Sequence, residues 1–336
     1  MNDNNIISDI IPFDTIINFD TIINYIINNG AFIVILFVSL LFISCHLFHK
    51  YKFIISPNNN SNIMKETKSP LKIVVFDLDE TLGCFSEINM FWDALKNISK
   101  NPNLQLKDFD NEHFFEIINL YPEFLRPNIL KILKYLINKK KRKECDKIMI
   151  YTNNQGPKSW GKMISEYFEH ELNEKIFDQI IGAFKVEGKI IEICRTSHNK
   201  SVNDLIRCTK IPENTEICFL DDQYHPLMKQ NNVYYINLLP YRYSMNFKDM
   251  AEIYYIKYKD KIHIPKIDFI DVINNYMKQY NYTVKLKTKE EIEVEKVISK
   301  KIIIYLDEFF KKSKKKHSIK SHYKIKNKTT KKVKEK

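Results

Sequence analysis

The chain has 336 residues, enough for one sizeable α/β domain with appended segments. Its apolar content of 44% and aromatic content of 13% exclude a wholly disordered protein. The net charge of +12 comes from the C-terminus, because residues 311–336 contain 13 lysines and one glutamate, while residues 1–310 are neutral as a set. The charge therefore does not indicate a basic, nucleic-acid-binding surface on the folded part.

The six cysteines show no C-x-x-C pair and no spacing with histidine that is typical of a zinc site. Their pattern predicts free thiols in a reducing compartment. They are Cys45, Cys84, Cys145, Cys194, Cys208 and Cys218.

An uncharged apolar run, residues 31–48, predicts one transmembrane helix over residues 31–49. A cleaved signal peptide is the weaker alternative, because residues 1–30 contain no Lys or Arg and no evident cleavage site. Lys50 and Lys52 follow the run, so the positive-inside rule predicts that the chain after the run, and any domain in it, is cytosolic and that segment 1–30 is non-cytosolic. Polar residues 50–70 are predicted to form a linker.

Three short apolar runs, at 72–76, 147–151 and 216–220, have the composition of strands that are buried on both faces. A further strand is predicted at 179–184. Helical patterns separate the runs, and they lie near residues 129–137, 159–172 and 201–208. This alternation predicts a doubly wound, Rossmann-like parallel sheet in a domain of residues 71–240.

Each of the three runs ends in polar residues. Asp77 and Asp79 follow the first, Thr152 the second, and Asp221 and Asp222 the third. The carboxyl ends of parallel strands meet at one crevice, so these side chains should lie together. Four carboxylates without thiols or imidazoles favour a hard cation, most simply Mg²⁺.

Lys200 precedes the third predicted helix and adds a fixed positive charge to this crevice, while Thr152 adds a hydroxyl donor. A cation, an ammonium and a hydroxyl around one point can hold a phosphoryl group. The residues therefore predict phosphoryl chemistry.

The ordered set resembles the haloacid dehalogenase (HAD) superfamily of phosphatases. Asp77-x-Asp79-x-Thr81 is similar to its first motif, Thr152 to the second, Lys200 to the third and Asp221-Asp222 to the fourth. The resemblance covers roughly residues 70–240.

The resemblance implies that Asp77 attacks phosphorus and forms an aspartyl-phosphate, and that Asp79 serves as general acid and base. It also implies that the backbone carbonyl of Asp79 binds Mg²⁺ and that Asp222 binds it more directly than Asp221. The implied catalytic residues are Asp77, Asp79, Thr152 and Lys200; the substrate-binding residues are Thr81, Asn153 and Lys200; the metal-binding residues are Asp77, Asp79, Asp221 and Asp222.

Neither residues 83–121 nor residues 152–200 leave room for a full cap domain, so we expect a minimal cap and a macromolecular substrate. The DLDETL form of the first motif, with Leu125-Arg126-Pro127, resembles the FCP/SCP group of NLI-interacting-factor-like, Dullard-like protein phosphatases. That resemblance implies a phosphoserine or phosphothreonine protein substrate.

Two alternative hypotheses remain open. The run Thr152-Asn-Asn-Gln-Gly156 is similar instead to polynucleotide 3′-phosphatases. The third hypothesis is a catalytically silent HAD-fold scaffold at a membrane.

Residues 241–310 are predicted to form a helical extension, with helices at 267–280 and 290–310 that pack on the catalytic domain or bind a partner. The Lys-rich residues 311–336 are predicted to be a disordered tail. Such a tail suits anionic lipid or nucleic acid.

Overall fold

The computed structural model describes residues 69–101, 109–156 and 158–332. The predicted segment 1–30, the predicted transmembrane helix 31–49 and residues 50–68 of the predicted linker lie outside the described residues. Among the helices that are described, none combines the length and apolar character needed to cross a membrane.

The described strands form one sheet and one hairpin. They are β1 (Lys72–Phe76), β2 (Lys147–Tyr151), β3 (Gln179–Ile181), β4 (Lys185–Val186), β5 (Lys189–Ile190), β6 (Glu216–Asp221) and β7 (Val233–Asn237). Five of them make a parallel sheet in the order β3-β2-β1-β6-β7, and β4 and β5 form an antiparallel hairpin. The predicted α/β class with a parallel sheet is confirmed.

Helices connect and flank these strands. They are α1 (Ser86–Ile98), α2 (Asn111–Leu120), α3 (Ile129–Lys141), α4 (Lys158–Leu172), α5 (Val202–Thr209), α6 (Phe247–Tyr258), α7 (Lys266–Lys278) and α8 (Lys289–Lys332). Short 3-10 helices lie at Pro122–Phe124, Pro226–Met228 and Lys259–Lys261. The helices predicted between the strands are confirmed as α3, α4 and α5.

The central strands are buried on both faces, which explains their continuous apolar runs. Along β1, Val74 and Phe76 point into the larger core, while Ile73 and Val75 point into the smaller one. Alternate side chains of a strand point to opposite faces, so one short run serves both cores. Helix α5 covers the smaller core with Val202 and Leu205.

Helices α1 and α2 occupy the stretch in which a lid would fit between the first two strands. Their side chains Phe91, Trp92, Phe114 and Ile117 are buried in the larger core. These two helices therefore belong to the body of the domain.

The last three helices pack on the same core; α7 and α8 correspond to the helices predicted at 267–280 and 290–310, and α6 was not predicted. Tyr254 of α6, Phe269 of α7, and Leu306 and Phe310 of α8 are all buried in it. Helix α8 runs from Lys289 to Lys332, and the disorder predicted for residues 311–336 stays a prediction. Lysine is a good helix former, so a Lys-rich stretch can extend a helix that is anchored by packing at its other end.

Two cysteines are paired, and the prediction of free thiols throughout is wrong. Cys194, in the loop before α5, forms a disulfide with Cys208 in α5, with their Cα atoms 5.0 Å apart. The pair is 14 residues apart and brought together only by the fold, so no local spacing signals it. The cysteines therefore no longer support a reducing compartment, because disulfides persist in oxidising ones.

Removing this disulfide should destabilise the protein. Closing a loop of about 15 residues contributes about 3 kcal/mol in the chain-entropy account. The double variant Cys194→Ala/Cys208→Ala should lose about that much free energy of unfolding in urea denaturation. Dithiothreitol should destabilise the wild type to a similar extent and leave the variant unchanged. Alkylation of both cysteines in the native, non-reduced protein would contradict the pairing.

Candidate active site

The three strands that carry the predicted site residues are neighbours in the sheet. Asp77 follows β1, Thr152 follows β2, and Asp221 ends β6. Lys200 is held beside them because Ser201 caps helix α5, accepting a hydrogen bond from the Asp204 amide at 3.1 Å. A cavity of about 470 Å³ opens at this edge. The predicted residues that line it are Asp77, Asp79, Thr152, Asn153, Lys200, Asp221 and Asp222.

The ammonium of Lys200 is the electrostatic centre of this edge. It is only 1% exposed, and it donates to Asp77 Oδ1 and, at 2.6 Å, to Asp221 Oδ2. Burial acts to lower the pKa of Lys200, but the charges of Asp77 and Asp221 outweigh it and raise the pKa above its usual value. The lysine is therefore a permanent positive charge at neutral pH.

Three carboxylates around Lys200 are close enough to share a cation. One oxygen each of Asp77, Asp221 and Asp222 lies within 4.8 Å of the others. Burial raises the pKa of Asp77 to about 7 although Lys200 opposes it, and burial together with Asp221 raises the pKa of Asp222. One ammonium leaves three crowded carboxylates undercompensated, and oxygen-only donors suit a hard divalent cation. This triad is a candidate metal site.

The Asp79 carboxylate lies outside this triad. Its Oδ2 accepts a hydrogen bond from Asn154 Nδ2 at 2.7 Å, and the residue lines the cavity. Burial raises its pKa, which favours the protonated acid. The structure thus separates two kinds of carboxylate along the cavity: a cluster beside Lys200, and Asp79, which is hydrogen-bonded to Asn154.

The loop after β1 is shaped by backbone contacts. Glu80 adopts a left-handed conformation with φ of 55°, and a Cβ at Gly83 would lie 2.8 Å from the Phe124 carbonyl oxygen. The buried guanidinium of Arg126 then ties this loop down, donating to the Thr81 carbonyl at 2.6 Å and to the Leu239 carbonyl at 2.9 Å. A glycine and a buried arginine therefore set the direction in which this acidic loop leaves the strand.

Thr81, which is predicted to bind substrate, contacts one acid of the triad. Its side chain is 1% exposed, and its hydroxyl donates to Asp222 Oδ1 at 3.3 Å. The contact orients an acid of the triad.

Arg195 is a site residue that the sequence did not reveal. Its buried guanidinium donates to the Thr152 carbonyl at 3.0 Å, the Gly182 carbonyl at 2.7 Å, Asn153 Oδ1 at 2.8 Å and the His198 carbonyl at 3.0 Å. It therefore joins the loop that carries Thr152 to the loop that leads to Lys200. The side chain of Asn153, predicted to bind substrate, lines the cavity and is held by this arginine.

His225 is a second residue near the site that the sequence did not reveal. It is buried, and its Nε2 lies 3.4 Å from Asp221 Oδ2. Burial acts to raise the pKa of Asp221, but the hydrogen bond from His225 and the charge of Lys200 lower it below the usual value. Asp221 is therefore the most firmly ionised acid of the triad.

Comparison with known proteins adds no relative to this picture. No protein-family model matches the chain, and no curated protein matches it. The chemistry of the site is therefore argued from its own geometry.

A divalent cation should bind at the acidic triad and stabilise the fold, since a ligand of the native state raises the melting temperature. We expect Mg²⁺ to raise the melting temperature of the wild type in differential scanning fluorimetry. Asp222→Asn should lose most of this shift, while Asp271→Asn, a change at an exposed acid of α7, should keep it. An equal Mg²⁺ shift in Asp222→Asn would contradict a site at the triad.

Binding of the cation should depend on pH in a defined direction. Burial holds the pKa of Asp77 at about 7, so this carboxyl is increasingly protonated below pH 7. Cation binding requires the ionised form and releases the proton. The affinity for Mg²⁺, measured by calorimetry, should fall by about tenfold per pH unit below 7 and level off above it. An affinity that increases as the pH falls would contradict this prediction.

Proposed function

We propose that the chain is a Mg²⁺-dependent phosphomonoester hydrolase of HAD type, with Asp77 as its nucleophile and phosphoserine or phosphothreonine proteins as its substrates. The observation that carries this proposal is the arrangement around Lys200. One buried ammonium and three clustered carboxylates lie at the edge of a 470 Å³ cavity, and Asp77 belongs both to the cluster and to the cavity wall. Positive charge placed next to a carboxylate nucleophile suits attack on a phosphoryl group.

Asp77 would attack phosphorus with a carboxylate oxygen, displacing the substrate alkoxide and forming an aspartyl-phosphate. Lys200 and the Thr152 hydroxyl would hold the phosphoryl oxygens. The Thr152 oxygen already accepts a hydrogen bond from the Asn154 amide at 3.0 Å, which leaves its own proton for the phosphoryl group. Mg²⁺, held by the triad and the Asp79 carbonyl, would supply neutralising charge.

Asp79 suits the proton transfers of both half-reactions. Burial raises its pKa, which favours the protonated form that would donate a proton to the leaving alkoxide, and the resulting carboxylate would then accept a proton from the water that attacks phosphorus. The hydrogen bond from Asn154 fixes the orientation of the carboxyl group. The cycle ends with inorganic phosphate and a free Asp77.

The small size of the insertions around the described part of the cavity supports a macromolecular substrate. Among the described residues, the only insertion between β3 and α5 that forms strands is the short β4–β5 hairpin, and α1 and α2 are packed into the core. No large lid therefore encloses the described part of the cavity. This openness supports a phosphoprotein over a small metabolite.

Hydrolysis of an aryl phosphate by the full chain in detergent tests the proposed chemistry. The wild type should require Mg²⁺, and Asp77→Asn should lower kcat by about 10³-fold or more, as expected for loss of a nucleophile. The exposed-site variant Asp271→Asn should retain the wild-type rate. An unchanged rate in Asp77→Asn would rule out the nucleophile.

The same preparation separates the remaining hypotheses. Phosphopeptides should be hydrolysed with a higher kcat/KM than a 3′-phosphorylated oligonucleotide of equal charge. A preference for the oligonucleotide would replace the protein phosphatase with the polynucleotide 3′-phosphatase. No hydrolysis of any of these substrates would favour the scaffold at a membrane.

A further inference from the structure

A second cavity lies directly beside the first one. It has a volume of about 690 Å³ and shares Thr152 and Asn154 with the candidate phosphoryl site. Helix α4, strand β3 and the β4–β5 hairpin form its walls. Ligand sites in proteins commonly have volumes of this order. We call it the hairpin pocket; its apolar walls are Phe177, Ile180, Ala183, Val186 and Ile191.

Part of the room in the hairpin pocket comes from Gly161, in the second turn of α4. A glycine inside a helix costs about 1 kcal/mol relative to alanine. Packing does not require it here, because a Cβ would make only ordinary contacts, 3.8 Å from Leu78 and 3.9 Å from Ile180. The helix thus carries a destabilising residue on the wall of the pocket without a steric need for it.

The charge on the rim of the hairpin pocket is negative. The lysines on its walls are neutralised by acids: Lys162 lies 3.5 Å from Glu166, and Lys175 lies 2.8 Å from Glu169. Glu187 at the hairpin turn and Glu192 after β5 form no ion pair within the part of the chain that the structure describes. Two carboxylates without a direct ion pair in the described part of the chain therefore flank an apolar floor, although the charge of Glu192 also acts to raise the pKa of the buried Arg195.

We infer that the hairpin pocket binds the sequence that flanks the phosphorylated residue of a protein substrate, with an apolar side chain on its floor and a lysine or arginine at Glu187 and Glu192. This inference rests on the proposed function and specifies its substrate class. The two cavities share the wall formed by Thr152 and Asn154, so an extended peptide whose phosphoryl group lies at Asp77 can continue past this wall into the hairpin pocket.

The same charges disfavour a nucleic acid in this pocket. A phosphodiester backbone carries one negative charge per nucleotide, and like charges repel. Basic side chains of a peptide would instead form ion pairs with the two glutamates. The charge of the rim therefore favours a phosphoprotein over a 3′-phosphorylated nucleic acid as the substrate.

Steady-state kinetics with three substrates tests the inference in the full chain. They are an aryl phosphate, a phosphoserine peptide with aromatic and arginine neighbours, and a phosphoserine peptide of equal length with acidic neighbours. The wild type should show the lowest KM for the basic, aromatic peptide. In Glu187→Gln/Glu192→Gln, that KM should rise about tenfold, as expected for losing two exposed ion pairs.

Two further variants separate charge from the apolar floor. Ile191→Asn, a change at a side chain that is 38% exposed, should raise the KM for the aromatic peptide with little effect on folding. Glu213→Gln is the matched control. Glu213 is an exposed acid in the loop that follows α5, outside the hairpin pocket, so this change should leave every KM unchanged. In Glu213→Gln, the kcat/KM for the aryl phosphate should also equal that of the wild type.

The outcomes distinguish the inference from the proposed function. If the wild type hydrolyses the aryl phosphate and both peptides with equal kcat/KM, and the glutamate variant changes nothing, the hairpin pocket has no role in substrate choice while the phosphatase stands. If the wild type hydrolyses none of the three, the proposed function fails and the inference fails with it. A lower KM for a 3′-phosphorylated oligonucleotide than for either peptide would also overturn the inference.

Discussion

The ammonium of Lys200 is buried between Asp77 and Asp221, and the candidate site depends on this interaction. A lysine that is 1% exposed is stable only when its charge is paired, and removing one partner of such a pair costs about 3–5 kcal/mol. The pairing joins three segments of the chain: the end of β1, the end of β6 and the loop before α5. It also leaves the carboxylates undercompensated, which is the electrostatic reason for expecting a cation.

The scaffold around this interaction is built to hold it in place. Parallel neighbours β2, β1 and β6 deliver Thr152, Asp77 and Asp221 to one edge of the sheet, and Arg195 and Arg126 fix the loops through backbone carbonyls. Both arginines donate several hydrogen bonds from a buried planar group, which is the geometry that a guanidinium provides and an ammonium does not. The two arginines thus limit the freedom of the loops on either side of Lys200.

The central strands and the polar residues that follow them could be predicted from the sequence. Runs such as Lys72–Phe76 are apolar throughout because both faces are covered, and the residues that follow them must meet at one edge. Hydrogen bonds to backbone carbonyls, such as those of Arg195, could not be predicted from the sequence, because every residue type has a backbone carbonyl. The edge strand β7 was missed because it is half-exposed and lacks a buried apolar run. The Cys194–Cys208 pair depends on loop packing, which no local pattern encodes.

Trapping the covalent intermediate tests the central claim most directly. An acyl phosphate is reduced by borohydride to an alcohol, so an aspartyl-phosphate at position 77 would be converted to homoserine. The wild type, quenched during turnover of an aryl phosphate with Mg²⁺ and treated with borohydride, should yield a peptide reduced at Asp77 in mass spectrometry. Omitting the substrate should abolish the product. Reduction at another carboxylate, or none during measured turnover, would contradict the account.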